Sequence, residues 1–236
     1  MTQGSGGDVV LVTGGASGLG AAIARGMHER GFRVGIGDLD AAAAAALAAE
    51  LDPSGATAIG IALDVREQSS FEAARDTLVA RWGSVEGLVN NAAATAAKPV
   101  LDITPDEFDA VMAVNARGTF VGSQVFGRVF KAQGYGRIVN LASLAGQNGG
   151  TATGAHYAAS KGAILTLTKV FARDLAAFGV TANAIAPGPL DRRWFTAPSP
   201  KRQCLASWRI SRFASSARRR SSPTSSRACA PATPVS

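Results

Sequence analysis

Cysteine and histidine are scarce in this chain, and this scarcity argues against two kinds of site. There are two of each, and no cysteine precedes Cys204, so most of the chain has no disulfide framework. Two histidines and two distant cysteines do not make a zinc site, and we expect no metal. No apolar run reaches the ~18 residues that a membrane-spanning helix needs. Residues 1–7 are polar and glycine-rich rather than a signal peptide, so we expect a cytoplasmic protein with no membrane partner.

Acidic residues are absent after Asp191, and this absence divides the chain in two. Residues 1–191 carry 14 basic and 17 acidic side chains, whereas residues 192–236 carry ten basic ones, so the net charge of +7 comes from the tail. A segment of low hydrophobicity and high charge has the signature of disorder. We therefore predict a dinucleotide-binding catalytic domain over 1–191 and an irregular, basic, Ser/Arg-rich tail over 192–236.

Three explanations of this tail stay open. Arginine clusters neutralise phosphates, so the tail could bind nucleic acid or a membrane surface. It could also be a plain disordered extension, or the product of a shifted reading frame in a GC-rich gene. Codons that would restore a helix followed by a strand in another frame can be chosen for residues 221–236. We favour the shifted frame and least favour nucleic-acid binding.

The catalytic domain alternates between apolar, strand-like runs and helical runs. Such alternation predicts an α/β fold with a doubly wound parallel sheet, Rossmann-like and single-domain, whose ligands bind at the carboxyl ends of the strands. The predicted strands are 8–12, 33–37, 57–63, 87–90, 136–141 and 181–185. The predicted helices are 21–30, 41–51, 69–82, 104–133 and 155–178.

A glycine-rich segment, Thr13 to Gly20, stands between the first strand and the first helix. Glycines there let the backbone approach a pyrophosphate, and the helix N-terminus offers free N–H groups and a partial positive charge. The second strand ends at Asp38, whose carboxylate can bind an adenosine ribose and repels a 2′-phosphate, which favours NAD over NADP. Asp38 or Asp40 could instead cap the next helix; if Asp40 caps it, Asp38 is left free for the ribose.

Tyr157 and Lys161 lie four residues apart in a helical run, so a phenol and an ammonium share one helix face. A nearby positive charge favours a phenolate. A tyrosine tuned in this way can act as general acid or base, worth ~10²–10⁴ in rate. The pattern alone is weak, because Tyr-x-x-x-Lys occurs by chance in many helices.

Together with further motifs, these segments resemble the short-chain dehydrogenase/reductase family over residues from about 8 to 190. Ala93 stands where the family usually has glycine, and Arg192 where it often has a threonine near the carboxamide. The NAD-binding residues that the resemblance implies are Thr13, Gly14, Ser17, Gly18, Leu19, Gly20, Asp38, Asp64, Val65, Asn91, Ala92, Tyr157, Lys161, Pro187, Gly188 and Leu190.

The resemblance also implies four catalytic roles. Tyr157 would exchange the proton of the substrate oxygen, and Lys161 would hold the nicotinamide ribose and keep the phenol acidic. Ser143 would hydrogen-bond the substrate oxygen. Asn115 would kink its helix and hold a water that supplies protons to Lys161. The implied activity is NAD(H)-dependent interconversion of a secondary alcohol and its ketone.

The substrate and the assembly stay open at this stage. The loops that would set specificity, 145–153 and 190–200, carry no charge pattern that names a ligand. One alternative is a 3-oxoacyl-carrier-protein reductase, although Asp38 argues against its usual NADPH. An alternative of another class is a catalytically impaired dinucleotide-binding protein that lacks the C-terminal helix and strand. The family implies a homodimer or homotetramer; we expect a dimer and a six-stranded sheet.

Overall fold

The computed structural model describes residues 7–150 and 153–188, and these residues form the predicted α/β fold. The tail 192–236, Leu190, the loop 190–200 and any seventh strand lie outside the described residues. The described strands are β1 (Val9–Thr13), β2 (Arg33–Asp38), β3 (Ala58–Ala62), β4 (Gly87–Asn90), β5 (Gly136–Leu141) and β6 (Val180–Ile185). The described α-helices are α1 (Gly18–His28), α2 (Ala41–Leu51), α3 (Gln68–Trp82), α4 (Pro105–Met112), α5 (Gly118–Gln133), α6 (Ala145–Asn148) and α7 (Ala155–Leu175).

The six described strands form one parallel sheet in the order β3-β2-β1-β4-β5-β6. The order reverses between β1 and β4, because β1 pairs with both β2 and β4. In sheets of this kind a crevice opens at such a reversal, beyond the carboxyl ends of the strands. The fold therefore fixes where a dinucleotide site can form.

Both faces of the sheet are covered, which explains why β1 is apolar throughout. Val9 and Leu11 pack into one core with α3 and α5, whereas Val10 and Val12 pack into the opposite core with α1 and α2. Each of these four side chains is at most 2% exposed. Burial of both faces is what produces a continuous apolar strand rather than an alternating one.

The predicted helix over 104–133 is interrupted in the structure, at the place where the family resemblance puts a kink at Asn115. It is two helices, α4 and α5, joined by a π-helical turn over Ala113–Arg117. Thr104 and Glu107 form a capping box that starts α4, with Pro105 at its first position. The π-helical turn contains Asn115, whose contacts explain the break and are described below.

Other element boundaries differ by a few residues. The first helix begins at Gly18 rather than near residue 21, and ends at His28. Helix α7 ends at Leu175 and continues as a 3-10 turn over Ala176–Phe178. Helix α2 coincides with its prediction, and Asp40 caps it by accepting a hydrogen bond from the Ala43 amide at 2.9 Å.

Candidate active site

The glycine-rich turn after β1 leaves room for a phosphate at the start of α1. Gly14 and Gly18 have φ of +60° and +53°, a backbone conformation that favours glycine. A Cβ on Gly20 would lie 1.9 Å from the Gly14 carbonyl oxygen, so the helix can approach the turn only with glycine there. No atom would lie within 4 Å of a Cβ on Gly18. The Ser17 side chain makes no capping bond, so the first N–H groups of α1 can receive an anion.

Thr13 and Asn91 join this turn to the segment after β4. The Thr13 hydroxyl accepts hydrogen bonds from the amides of Asn91 and Ala92 at 3.0 and 3.1 Å. The Asn91 side-chain amide donates to the carbonyls of Thr13 and Gly14, both at 3.0 Å. The side chain of Asn91 therefore shapes the glycine turn across the reversal point of the sheet.

Asp38 stands at the end of β2, next to the glycine turn. Its carboxylate accepts from the Ala16 amide at 3.0 Å and from the Asp40 amide at 3.1 Å. The capping role belongs to Asp40, as described above. The Asp38 carboxylate is half-buried at the end of its strand and contacts the glycine turn through the Ala16 amide.

Asp64 follows β3 and is paired with Arg66, a partner that the sequence analysis missed. The guanidinium donates to both carboxylate oxygens, from Nε at 2.9 Å and from a terminal nitrogen at 2.5 Å. This hydrogen bonding lowers the pKa of the Asp64 carboxyl. The neighbouring Val65 is buried and packs against the backbone of Gly118 at the start of α5.

An open cavity lies beside the Asp64–Arg66 pair, at the carboxyl edge of the sheet. Its volume is about 490 Å³. Its lining comes from the segments after β3 and β4, from α4 and from the π-helical turn, and comprises Arg66, Glu67, Ala94, Ala110, Val111, Ala113, Val114 and Arg117. The cavity thus lies beside Asp64 and Val65, two of the residues that the family resemblance assigns to NAD binding.

Asn115 ties the π-helical turn to two neighbouring segments. Its side-chain oxygen accepts from the Ala94 amide at 2.7 Å, and its side-chain nitrogen donates to the Ala94 carbonyl at 2.9 Å. The same nitrogen donates to the Ser160 hydroxyl at 2.9 Å. Both N–H groups of Asn115 are therefore engaged, and the residue is fully buried.

Lys161 is buried on the same helix as Tyr157. The ammonium donates to the Leu141 carbonyl, at the end of β5, at 2.6 Å. It lies 5.6 Å from the centroid of the Tyr157 ring. The side chain is 3% exposed, and desolvation lowers its pKa to about 8. At neutral pH the buried ammonium form still predominates.

Ser143 and Pro187 follow the adjacent strands β5 and β6. The Ser143 hydroxyl accepts from the Ala145 amide at 3.1 Å, at the start of α6. The amide of Leu144 donates to the Pro187 carbonyl at 3.1 Å, which holds the two segments side by side. A Cβ on Gly188 would lie 3.3 Å from the Leu144 side chain.

Comparison with known proteins identifies the family. A family model described as short chain dehydrogenase matches residues 8–202. The chain belongs to the short-chain dehydrogenase family. As a member, it is an oxidoreductase that acts on CH–OH groups, and the family uses nicotinamide cofactors.

Three relatives are 38–41% identical to this short-chain dehydrogenase over the aligned residues. Sorbitol dehydrogenase of Cereibacter sphaeroides is 41% identical over 186 residues, 78% of this chain and 71% of the relative. D-threitol dehydrogenase of Mycolicibacterium smegmatis is 38% identical over 183 residues, 77% and 69% of the two chains. The 2-dehydro-3-deoxy-L-rhamnonate dehydrogenase (NAD(+)) of a Sphingomonas species is 39% identical over 186 residues, 78% and 73% of the two chains.

The short-chain dehydrogenase fold brings most of the predicted site residues to one edge of the sheet. Each strand from β1 to β6 delivers its predicted residues just past its carboxyl end. The described predicted site residues are Thr13, Gly14, Ser17, Gly18, Leu19, Gly20, Asp38, Asp64, Val65, Asn91, Ala92, Asn115, Ser143, Tyr157, Lys161, Pro187 and Gly188. Leu190 lies outside the described residues.

Two further residues at the site were not predicted from the sequence. Ser160 is fully buried, accepts from Asn115 and donates to the Tyr157 carbonyl at 2.7 Å. Ser160 could have been singled out from the sequence, because it lies inside the Tyr-Ala-Ala-Ser-Lys segment. The structure places it on the buried side of α7. His156 is the second, and its contacts are described below.

The described residues lack two features that other functions would need. Among residues 7–150 and 153–188, no helix is long and apolar enough to cross a membrane. The same residues contain no group of three or more His, Cys, Asp or Glu side chains that could hold a metal ion.

Proposed function

We propose that this short-chain dehydrogenase interconverts a secondary alcohol and its ketone with NAD(H), and that Tyr157 is its general acid and base. The observation that carries the proposal is the buried ammonium of Lys161. Within the described part of the chain, no carboxylate lies within ion-pair distance of it. A buried charge held only by a main-chain carbonyl costs stability, and such groups cluster at functional sites.

The residues present fit a dinucleotide. The space over Gly18 and the free N–H groups of α1 suit a pyrophosphate, and the 490 Å³ cavity beside Asp64 suits an adenine. We assign NAD rather than NADP because the Asp38 carboxylate would repel a 2′-phosphate. A relative that is 39% identical is named for NAD(+), which agrees with this choice.

The residues divide the work of the reaction. A nicotinamide held in this site would supply the acceptor or donor for the hydride of the substrate carbon. Tyr157 takes the proton from the alcohol oxygen or returns it to the carbonyl oxygen. The Ser143 hydroxyl hydrogen-bonds that oxygen where charge develops. The Lys161 ammonium would bind the ribose hydroxyls of the cofactor, and it stabilises negative charge on the phenolic oxygen.

Asn115 supports this arrangement through its neighbours. Its amide is used on Ala94 and Ser160, so we assign its side chain to holding the segment after β4 against α7. The water that the resemblance assigns to Asn115 is therefore not proposed on its side-chain nitrogen.

Polyols are the first substrates to test, because two relatives are named for sorbitol and D-threitol. We expect NADH to form from NAD⁺ and D-sorbitol or D-threitol, followed by absorbance. Turnover of a 3-oxoacyl thioester with NADPH, and no oxidation of polyols, would instead favour the carrier-protein reductase. Tight NADH binding without turnover of any alcohol would favour the impaired dinucleotide-binding protein.

We also propose that the protein is a homodimer formed through α4, α5 and α7. Phe108, Phe120 and Val170 on these helices are each 38–39% exposed, which is high for large apolar side chains. Light scattering coupled to gel filtration measures the assembly directly. Replacing Phe120 and Val170 with glutamate should give a monomer, and a wild-type monomer at micromolar concentration would contradict the proposal.

A further inference from the structure

The first turn of α7 begins without a capping side chain. Its N-cap residue is Gly154, which offers only its main chain. The Gly154 amide donates to the Ala96 carbonyl at 3.0 Å, and its carbonyl accepts from the Ala158 amide at 3.2 Å. The first N–H groups of a helix have no partner within the helix, so another group must satisfy them.

His156, the second residue of the helix, supplies the missing acceptor for the amide of the third residue, Tyr157. Its Nδ1 accepts a hydrogen bond from the Tyr157 amide at 3.0 Å. That amide is one of those that an N-cap side chain would ordinarily bind. His156 is 1% exposed, although it is polar and titratable. The imidazole therefore replaces the cap that glycine cannot provide.

Glycine at position 154 is what makes room for this imidazole. A Cβ there would lie 2.3 Å from Cε1 and 2.6 Å from Nδ1 of His156. Such distances are far below van der Waals contact, so an N-cap side chain and the His156 ring exclude each other. The absent cap and the buried histidine are thus two aspects of one arrangement.

The bond to His156 is half of a clamp on Tyr157. The Tyr157 carbonyl accepts from the Ser160 hydroxyl at 2.7 Å, and Ser160 is held in turn by Asn115. Side chains therefore satisfy both polar main-chain groups of the tyrosine. Only an imidazole with its proton on Nε2 can accept at Nδ1, so the bond also fixes one neutral form of the ring.

We propose that His156 is a positioning residue that holds the peptide of Tyr157, and through it the phenol, in the reactive geometry. The inference rests on the general acid–base role proposed for Tyr157 and adds a residue that acts through it. Misplacement of a reacting group by about 1 Å can cost ~10²-fold in rate. A partial loss of placement should therefore appear in kcat rather than in cofactor affinity.

The test compares His156→Leu with His156→Asn in the full chain. Leucine fills space but cannot accept, whereas the side-chain oxygen of asparagine stands where Nδ1 does. His28→Leu is the matched control, because His28 bonds Thr57 in another part of the fold. We expect His156→Leu to lower kcat about tenfold with NADH affinity unchanged within twofold. His156→Asn should recover most of that loss, and His28→Leu should leave kcat unchanged.

NMR of the two tyrosines adds a measurement that needs no substrate. The chain has two tyrosines, so ¹⁵N-tyrosine labelling gives two amide signals, of Tyr157 and Tyr135. The Tyr157 amide should exchange with solvent at least tenfold faster in His156→Leu than in wild type or His156→Asn. The Tyr135 amide, which donates to Phe130, is the internal reference. The ¹³Cζ signal of Tyr157 in the NADH complex should move in His156→Leu and return in His156→Asn.

The outcomes separate this inference from the function on which it rests. Unchanged Tyr157 exchange in His156→Leu, or an unmoved ¹³Cζ signal, overturns the positioning role. Faster exchange with wild-type kcat also overturns it, because the bond would then be structural only. If Tyr157→Phe keeps its turnover, the proposed function fails instead, whatever the exchange data show.

Discussion

The two halves of the site differ in the chemical groups that they present. The half after β1 to β3 presents mainly backbone: glycines with positive φ and the N–H groups of α1. The half around β4, β5 and α7 presents buried polar side chains. Of the ten buried polar residues in the described chain, nine lie between Asn90 and Thr168, and the exception is Thr13.

This difference matches what each half has to do. A pyrophosphate is bound well by N–H groups that any sequence supplies, provided that glycine lets it approach. Proton transfer needs particular side chains in fixed positions, and buried hydrogen bonds provide that rigidity. Asn90 illustrates the point, since its side chain donates to Ser123 and Asn140, and Asn140 donates to Thr168 on α7.

The largest expected effect is in the side-chain half. Tyr157→Phe removes the proton donor while leaving the ring, so we expect kcat to fall at least ~10²-fold. NADH affinity should stay within about threefold, which fluorescence titration measures. Retention of more than a tenth of the wild-type kcat would contradict the role assigned to the phenol.

In the backbone half, Gly20→Ala should weaken NADH binding by roughly 30-fold or more, because its Cβ would overlap the Gly14 carbonyl. Gly26→Ala is the matched control on the same helix, since its Cβ would meet only the flexible end of Arg30 at 3.4 Å. The control should bind NADH normally and gain up to about 1 kcal/mol of stability. Equal NADH affinity in both variants would show that the turn does not bind the cofactor.

Lys161→Met should stabilise the cofactor-free protein, although we expect it to lose activity. The pKa of the lysine is about 8 in the folded protein against 10.5 unfolded, so below pH 8 the lysine is charged in both states and burial of the ammonium destabilises the folded one. The cost to folding is at most about 3.5 kcal/mol there, at ~1.4 kcal/mol for each pKa unit. It should vanish as the pH rises from 8 through 10.5. Urea unfolding of both proteins at pH 7 and pH 10 measures this difference, which should be larger at pH 7.

The smallest effect should be on cofactor preference. Asp38→Ala removes the charge that opposes a 2′-phosphate, so the preference for NADH over NADPH should fall about tenfold. Asp40→Ala is the control: it should cost ~1 kcal/mol of stability through loss of the cap and leave the preference unchanged. Equal shifts in the two variants would remove Asp38 from the ribose site.

Local patterns predicted the strands and the positions of the strand ends well, because a continuous apolar run indicates a strand that is buried on both faces of the sheet. The capping by Asp40 was predictable for another reason: a helix cap depends only on residues that are close in sequence. The break between α4 and α5 was not visible in the apolar pattern. It depends on the bonds of Asn115 to Ala94, 21 residues away, which local periodicity does not contain.

The roles of His156 and Arg66 also depend on the geometry of the folded chain, so they could not be predicted from local patterns. Neighbouring residues of a helix do not share a face, so the sequence alone gave no reason to link the His156 side chain to Tyr157. The structure turns its ring back onto the helix terminus, where it bonds the main chain. That outcome depends on Gly154 being too small to cap. A pairing of Arg66 with Asp64 could have been proposed from their spacing, but its geometry could not.

Because of the π-helical turn, a regular helix over this stretch and the hydrogen bonds of Asn115 to Ala94 cannot both exist. A π-helical turn holds one more residue than an α-helical turn. Deleting Ala113 would let α4 run into α5 as a regular helix, but it would rotate one part by about 100° relative to the other. Either Asn115 would swing away from Ala94, or α4 would lose its packing register. The extra residue thus changes the rotation of α4 relative to α5. Each helix can then turn its own face toward the neighbours that it packs against.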